Sequence, residues 1–361
     1  MNITTAYNDR LFLVPQADFA SSTQKEIVRL IMKKHGQDFI TDLKLIDEND
    51  EYDSFLVEIY EKGFCVKMSF DQVPIFYEYM VLKGIEHLQI APQIVDRGEI
   101  FYGQTIYYTI QSFEYSENLN QTGASSLLDD NFSNLDFVIT KMHSYAPPKD
   151  IWPHLDNNLS YLEYQKINFD NILSYVEAAE EDIFSFIKKI YQEIYDEMLY
   201  LYETKKNKIT LNKFVHGNLN LSTIVSNSNT FKFINFENSF VGSPFFDLVN
   251  LVFEAQMSGI HEYNFITTKI KEMKLVDNRL KAAKYLEEYK ICKEIWSRKK
   301  FLDLIRCYIK EVIILNKERV GKMSKLGHYF SNLFYRFDNI GAFSQNKDIF
   351  VQKFQELILD N

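Results

Sequence analysis

Two short stretches hold the residue types that could do chemistry. The first runs from Phe214 and Val215 through His216, Gly217, Asn218, Leu219, Asn220, Leu221, Ser222 and Thr223 to Ile224 and Val225. The second is Phe233-Ile234-Asn235-Phe236-Glu237. In each, a short apolar strand delivers a polar segment, the usual way a rigid element holds reacting groups in place. Together they offer amides at Asn218, Asn220 and Asn235, a hydroxyl at Thr223, an imidazole at His216 and a carboxylate at Glu237. A neutral amide cannot act as a general base near neutral pH. A hard cation such as Mg2+ prefers carboxylate oxygen. The set suits hydrogen bonding better than proton transfer or tight metal binding. No Walker-type phosphate loop, no His-Glu-x-x-His zinc motif and no Gly-x-Ser-x-Gly elbow occurs. Trp152-Pro153-His154 and His261-Glu262 lack metal-ligand spacing.

The elements that must position these segments fall into an order. Residues 1–20 read as an extended lead-in. Thr23-Gln24-Lys25-Glu26 is a capping box opening a helix, with Ile27, Leu30 and Ile31 on one face and Gly36 as its stop. From Phe39 to Ile110 strands dominate. Ser54–Tyr60 and Gly63–Ser69 read as a hairpin turning at Glu61-Lys62-Gly63. A helix follows over Val73–Gly84, with Ile75, Tyr79 and Leu82 at helical spacing. Ala91–Val95 and Gln104–Ile110 are two further strands. A hinge at Gln111–Glu117 and a polar linker over 118–126 lead into helices. One is marked by Leu135, Val138, Ile139 and Met142 and is ended by Pro147-Pro148. A second spans about Glu180–Glu203, with Ile183, Phe184, Ile187, Ile190, Tyr191 and Ile194 on its apolar side. Beyond Pro244 helices return, including Phe301–Leu315 and Ile349–Leu359. The expected division is an N-terminal helical extension over 1–38, a small β-rich lobe over 39–112 and a helical lobe over 113–361.

Bulk properties narrow the class. At 361 residues, with 46% hydrophobic and 25% charged side chains, the chain is long enough for two cores. Its net charge of −10 disfavours nucleic-acid binding, which needs basic surface. Three cysteines, Cys65, Cys292 and Cys307, are odd in number and widely spaced, which fits a reducing, cytoplasmic setting with buried thiols. The N-terminus lacks a signal-peptide pattern. No apolar run approaches the roughly 20 residues a membrane span needs.

The segment His216–Ile224 resembles the His-Gly-Asp-x-x-x-x-Asn-Ile loop of the aminoglycoside phosphotransferase and choline kinase-like superfamily. Ile234–Ser239 resembles that family's Ile-Asp-Phe-Glu segment, and Gly242–Leu248 its Gly-x-Pro-x-x-Asp-Leu segment. Val138–His143 is similar to the family's helix ending in Leu-His. Cys65-Val66-Lys67 is similar to its small-lobe lysine strand, with Glu78 at the place of the partner glutamate. The resemblance spans roughly residues 40–330. It implies an α+β, two-lobe protein kinase-like fold, with a small antiparallel β lobe and a larger helical lobe. It also implies ATP and Mg2+ as cofactors and phosphoryl transfer as the ancestral reaction, which depends on positioning and charge neutralisation. In that scheme Lys67 grips phosphates and is held by Glu78, while His216 and Asp247 are loop scaffold.

The sequence departs from the pattern where the chemistry is concentrated. Asn218 stands at the catalytic aspartate position, Thr223 at the metal-binding asparagine and Asn235 at the main metal-binding aspartate. The stretch Asp47–Asp53, where a phosphate-covering loop belongs, holds five acids and no glycine. Backbone approach to phosphate favours glycine, and acids repel it. Lys67 has two readings, phosphate ligand or lobe-stabilising partner of Glu78. Glu237 is either a substitute metal ligand or a hydrogen-bonded carboxylate, and Asn220 and Asn238 are either weak ligands or loop caps. The expected function is that of a pseudokinase-like protein acting through a small ligand or protein partner, without ATP or Mg2+ as cofactors. The alternative is an active ATP-dependent small-molecule phosphotransferase with rearranged metal ligands. A third expectation is an interaction module presenting Tyr329, Phe330, Phe334 and Tyr335.

Overall fold

The structure is a computed structural model. It describes residues 17–37, 39–48, 52–60, 62–113, 117–118, 124–147, 182–227, 230–257 and 279–314. The chain divides into two compact units. One comprises residues 1–152, 216–239 and 251–263; the other comprises 153–215, 240–250 and 264–361.

The first unit is built on a five-stranded antiparallel sheet of order β1-β2-β3-β5-β4. Its strands are β1 (Asp42–Glu48), β2 (Asp53–Ile59), β3 (Lys62–Ser69), β4 (Ile94–Tyr102) and β5 (Gln104–Ser112). Period-2 alternation gives the sheet two faces. One carries Phe55, Val57, Ile59, Val66, Met68, Ile106, Tyr108 and Ile110, and helix α1 (Ala17–Lys34) packs on it through Ile27, Val28, Ile31 and Met32. The other face carries Lys67 and is covered by α2 (Gln72–Ile85), which buries Ile75, Glu78, Val81, Leu82 and Ile85. Asp71 caps α2 by accepting from the Val73 N–H at 2.9 Å. The unit also contains α3 (Ala124–Ser144) and a small sheet of order β6-β8-β9, formed by Glu117–Asn118, Ile224–Asn227 and Thr230–Phe233.

In the second unit α4 (Asp182–Lys205) packs with α6 (Arg279–Ile314), and β7 (Lys213–Val215) pairs with β10 (Phe240–Gly242). Glu288 of α6 accepts from the Thr210 N–H at 2.7 Å and from Ser243 Oγ at 2.8 Å. Ser243 in turn precedes α5 (Phe245–Met257).

Several boundaries differ from the sequence expectation, each for a physical reason. Helix α1 begins at Ala17, ahead of the capping box, because nothing between Ala17 and Thr23 breaks a helix. Leu30 is exposed, and Val28 and Met32 take its place in the core. Gly36 does end α1: at φ +74 it supports paired bonds from Gly36 N to Lys33 O and from Gln37 N to Met32 O. β1 was not anticipated as a strand. Ile59 of β2 already pairs with Lys62, and Gly63 lies inside β3, where a Cβ would meet the Phe113 carbonyl oxygen at 2.0 Å. The strand expected at Ala91–Val95 starts at Ile94, after Pro92, which cannot donate to a ladder. The strand expected to end at Val95 continues to Tyr102, with Asp96–Tyr102 paired to β5. Tyr79 is half-buried, α3 starts well before Leu135, and the Phe301–Leu315 helix is the end of the much longer α6. Residues 17–20 of the expected lead-in are helical in α1, while its residues 1–16, the segment 329–335 and the 349–359 helix lie outside the described residues, as do the side chains of Ile183, Phe184, Ile187 and Ile190.

Candidate functional site

All but one of the sequence-predicted site residues come together in the first unit. β3 presents Lys67, flanked across the sheet by Ser54 of β2 and Thr109 of β5. Its Nζ lies 2.9 Å from Glu78 Oε1 and 3.5 Å from Glu237 Oε2. Lys67 and Glu78 are each 2% exposed. A fourth residue closes the group. Tyr52, at the head of β2, donates its hydroxyl to Glu237 Oε1 at 3.0 Å, and its ring centroid is 4.3 Å from Lys67 Nζ. Glu78 also accepts from the Phe236 N–H at 3.2 Å, and the Tyr77 hydroxyl donates to the Ser239 carbonyl. Thus α2 is pinned directly to the Asn235–Ser239 segment.

One ammonium is shared by two carboxylates. Burial works against the Lys67 charge, yet Glu78 and then Glu237 outweigh it and hold Lys67 well above the ordinary lysine range. Burial pushes Glu78 upward, with the Glu237 charge acting in the same direction and Lys67 opposing. The Lys67 direction follows from a cluster with one more negative than positive group, and the Glu78 direction first from burial.

The His216–Thr223 loop is closed on itself. His216 is fully buried; its Nε2 donates to the Ile234 carbonyl at 2.9 Å, and its Nδ1 accepts from the Asn218 N–H at 3.3 Å. Gly217 has φ +83, and a Cβ there would lie 1.9 Å from the Asn238 carbonyl oxygen. The loop can approach Asn238 only because this position has no side chain. Asn220 Oδ1 accepts from Ser222 N, Ser222 Oγ and Thr223 N, while its Nδ2 donates to Asn218 O and to Asn218 Oδ1. The Thr223 hydroxyl, 1% exposed, accepts from Asn220 N at 3.0 Å and donates toward Asn218 O or Asn220 O. Asn220 and Thr223 are therefore loop-capping groups. Asn235 has φ +66 and leads into the short helical turn Phe236–Asn238, a backbone state that asparagine tolerates better than most residues. Asp247, the remaining predicted residue, is fully buried in the first turn of α5 and belongs to the second unit.

These residues do not fit Mg2+ and a nucleotide triphosphate. The ammonium that would meet phosphate is buried between two carboxylates beneath an aromatic ring. The Thr223 hydroxyl and the Asn218 amide oxygen are engaged within the loop. Glu237, the one carboxylate of the second segment, is turned to Lys67 and Tyr52. Among the described residues no group of three or more His, Cys, Asp or Glu side chains is arranged to hold a metal. Tyr52 was missed from the sequence because its partner Glu237 is remote in the chain; the available signal was a lone aromatic at the end of an acidic run.

No protein-family model matches the chain, and no curated protein matches it in sequence. Solved structures do match. An ethanolamine kinase from Plasmodium vivax is 14% identical with a TM-score of 0.53, covering 77% of this chain and 81% of that one. The GDP and kanamycin complex of the aminoglycoside phosphotransferase APH(2″)-IIIa is 13% identical with a TM-score of 0.53, covering 85% and 99%. The GDP complex of a mutant aminoglycoside phosphotransferase is 14% identical with a TM-score of 0.52, covering 86% and 98%. At these identities the likeness is one of fold. The chain shares the kinase-like fold of these solved phosphotransferases.

Proposed function

We propose that this chain is a pseudokinase: a phosphotransferase fold that has given up phosphoryl transfer and acts by binding a small ligand or a protein partner. The observation that carries this reading is the Lys67 cluster. The side chain a kinase uses to hold phosphate is 2% exposed, bound to Glu78 and Glu237 and lidded by Tyr52. The amides at Asn218 and Asn235 point the same way, since neither can take a proton or supply a ligand charge. We place the protein in the cytoplasm on its buried Cys65 and Cys292, neither of which is in a disulfide; no described helix is long and apolar enough to cross a membrane. Its net charge of −10 supports a partner other than nucleic acid.

The test is phosphotransfer from ATP to a panel of small alcohols, amino-alcohols and sugars, with Mg2+ or Mn2+. The wild type is expected to show no turnover above the protein-free background. The variant carrying Asn218→Asp, Thr223→Asn and Asn235→Asp restores the expected residue types but leaves the Lys67 cluster closed, so it is expected to be silent as well. Robust turnover by the wild type would overturn the reading.

A further inference from the structure

β4 is the terminal strand of the five-stranded sheet, and it is long for an edge. Natural edge strands are normally blunted by being short, bulged or charged throughout. β4 has one irregularity near its start, between Ile94 and Asp96, and then runs in register with β5 to Tyr102. It also exposes large apolar side chains: Val95 is 53% exposed and Phe101 76%. Between them Asp96, Arg97 and Glu99 are exposed, and Gly98 lies between Arg97 and Glu99.

The order Arg97, Gly98, Glu99 is self-complementary when the strand is reversed. About a two-fold axis at Gly98, antiparallel pairing sets Arg97 opposite Glu99 of a second copy and Glu99 opposite Arg97 of that copy. Like charges never meet. Directly opposed residues of an antiparallel pair are about 4.5–5.5 Å apart at Cα, close enough for this pair. Arg97 is already oriented: its guanidinium stacks 4.8 Å from the Phe76 ring centroid and 4.3 Å from that of Tyr79, both on α2. A stacked guanidinium keeps its N–H edge free to receive a carboxylate. Gly98, which β4 requires because a Cβ would come within 2.6 Å of the Tyr108 hydroxyl, puts no side chain on the axis. The Glu99 carbonyl is held by the exposed Lys34 ammonium at 3.0 Å, a flexible contact that strand pairing would displace.

We propose that β4 is a homodimerisation edge, on which two copies of this chain pair antiparallel about Gly98 to form a continuous ten-stranded sheet. The occupant is a second copy because Arg97 and Glu99 match their own reversal in charge about Gly98. This surface is independent of the Lys67 cluster, so it stands or falls apart from the absence of phosphotransfer.

Sedimentation velocity of the full chain across the micromolar to millimolar range tests it. The wild type is expected to move from monomer to dimer with concentration. Arg97→Glu or Glu99→Arg each creates two like-charge pairs and is expected to weaken dimerisation at least about tenfold. The double variant Arg97→Glu/Glu99→Arg restores opposite charges and is expected to return the dimer to within about threefold of wild type. Phe101→Lys, which lies off the α2 stack, weakens the dimer if the Arg97 variants lose their fold, as checked by circular dichroism. A wild type that stays monomeric throughout overturns the proposal. So does a dimer indifferent to the single reversals, including one held by another surface.

Discussion

At the scale of residues, the determining group is Lys67 with Glu78, Glu237 and Tyr52. A buried ammonium between two carboxylates holds the site together through its own positive charge. The pH dependence follows from the directions of the shifts. Lys67 is raised on folding, so its contribution is complete below the ordinary value of 10.5 and is lost as pH climbs through the higher folded value. Glu78, also raised, holds its proton more tightly when folded, so the folded state gains as pH falls toward 4.5. Lys67→Met should destabilise the protein by about 3–5 kcal/mol at neutral pH, because two buried acids lose their counter-charge. The variant should also recover stability on acidification more steeply than wild type and lose the alkaline transition. Denaturant unfolding followed against pH checks both. Lys67 and Glu78 were legible in the sequence because each sits in a recognisable local frame. Tyr52 was not, since nothing local to it announces a contact with Glu237.

At the scale of elements, the His216–Thr223 loop and the Asn235–Ser239 segment form one hydrogen-bonded unit. The two strands leading into them were legible from apolar runs ending in polar residues. The capping roles of Asn220 and Thr223 were legible in kind, because amides and hydroxyls next to a turn bond to nearby backbone. The turn position of the β2–β3 hairpin was not legible, since a glycine that permits close strand approach looks the same in sequence as a glycine that turns a chain. Two glycines separate these effects. Gly217→Ala meets both a left-handed backbone and the Asn238 carbonyl at 1.9 Å, and should cost about 3 kcal/mol or more. Gly36→Ala has φ +74 but open space around it, and should cost about 1–2 kcal/mol. Urea unfolding of the two variants checks the order; equal costs would mean the loop gives way easily around Gly217.

At the scale of the whole molecule, the motif order predicted a kinase-like fold, and the structure carries that fold at 13% and 14% identity to solved phosphotransferases. The order of strands and helices survives such divergence because it depends on apolar periodicity and not on particular side chains. Phosphoryl-transfer chemistry depends on a few acids, and amides stand at two of the positions where the resemblance expects them, Asn218 and Asn235. The most direct measurement is the thermal unfolding of the full chain with saturating ATP and Mg2+. A ligand at a hundred times its Kd adds about 2.7 kcal/mol to a folded state that binds it, which raises Tm by several degrees. With Lys67 closed beneath Tyr52, the expected shift is under about 1 °C, the same for wild type and Lys67→Ala each compared with its own nucleotide-free form. A rise of about 4 °C or more in wild type that Lys67→Ala abolishes would contradict the account.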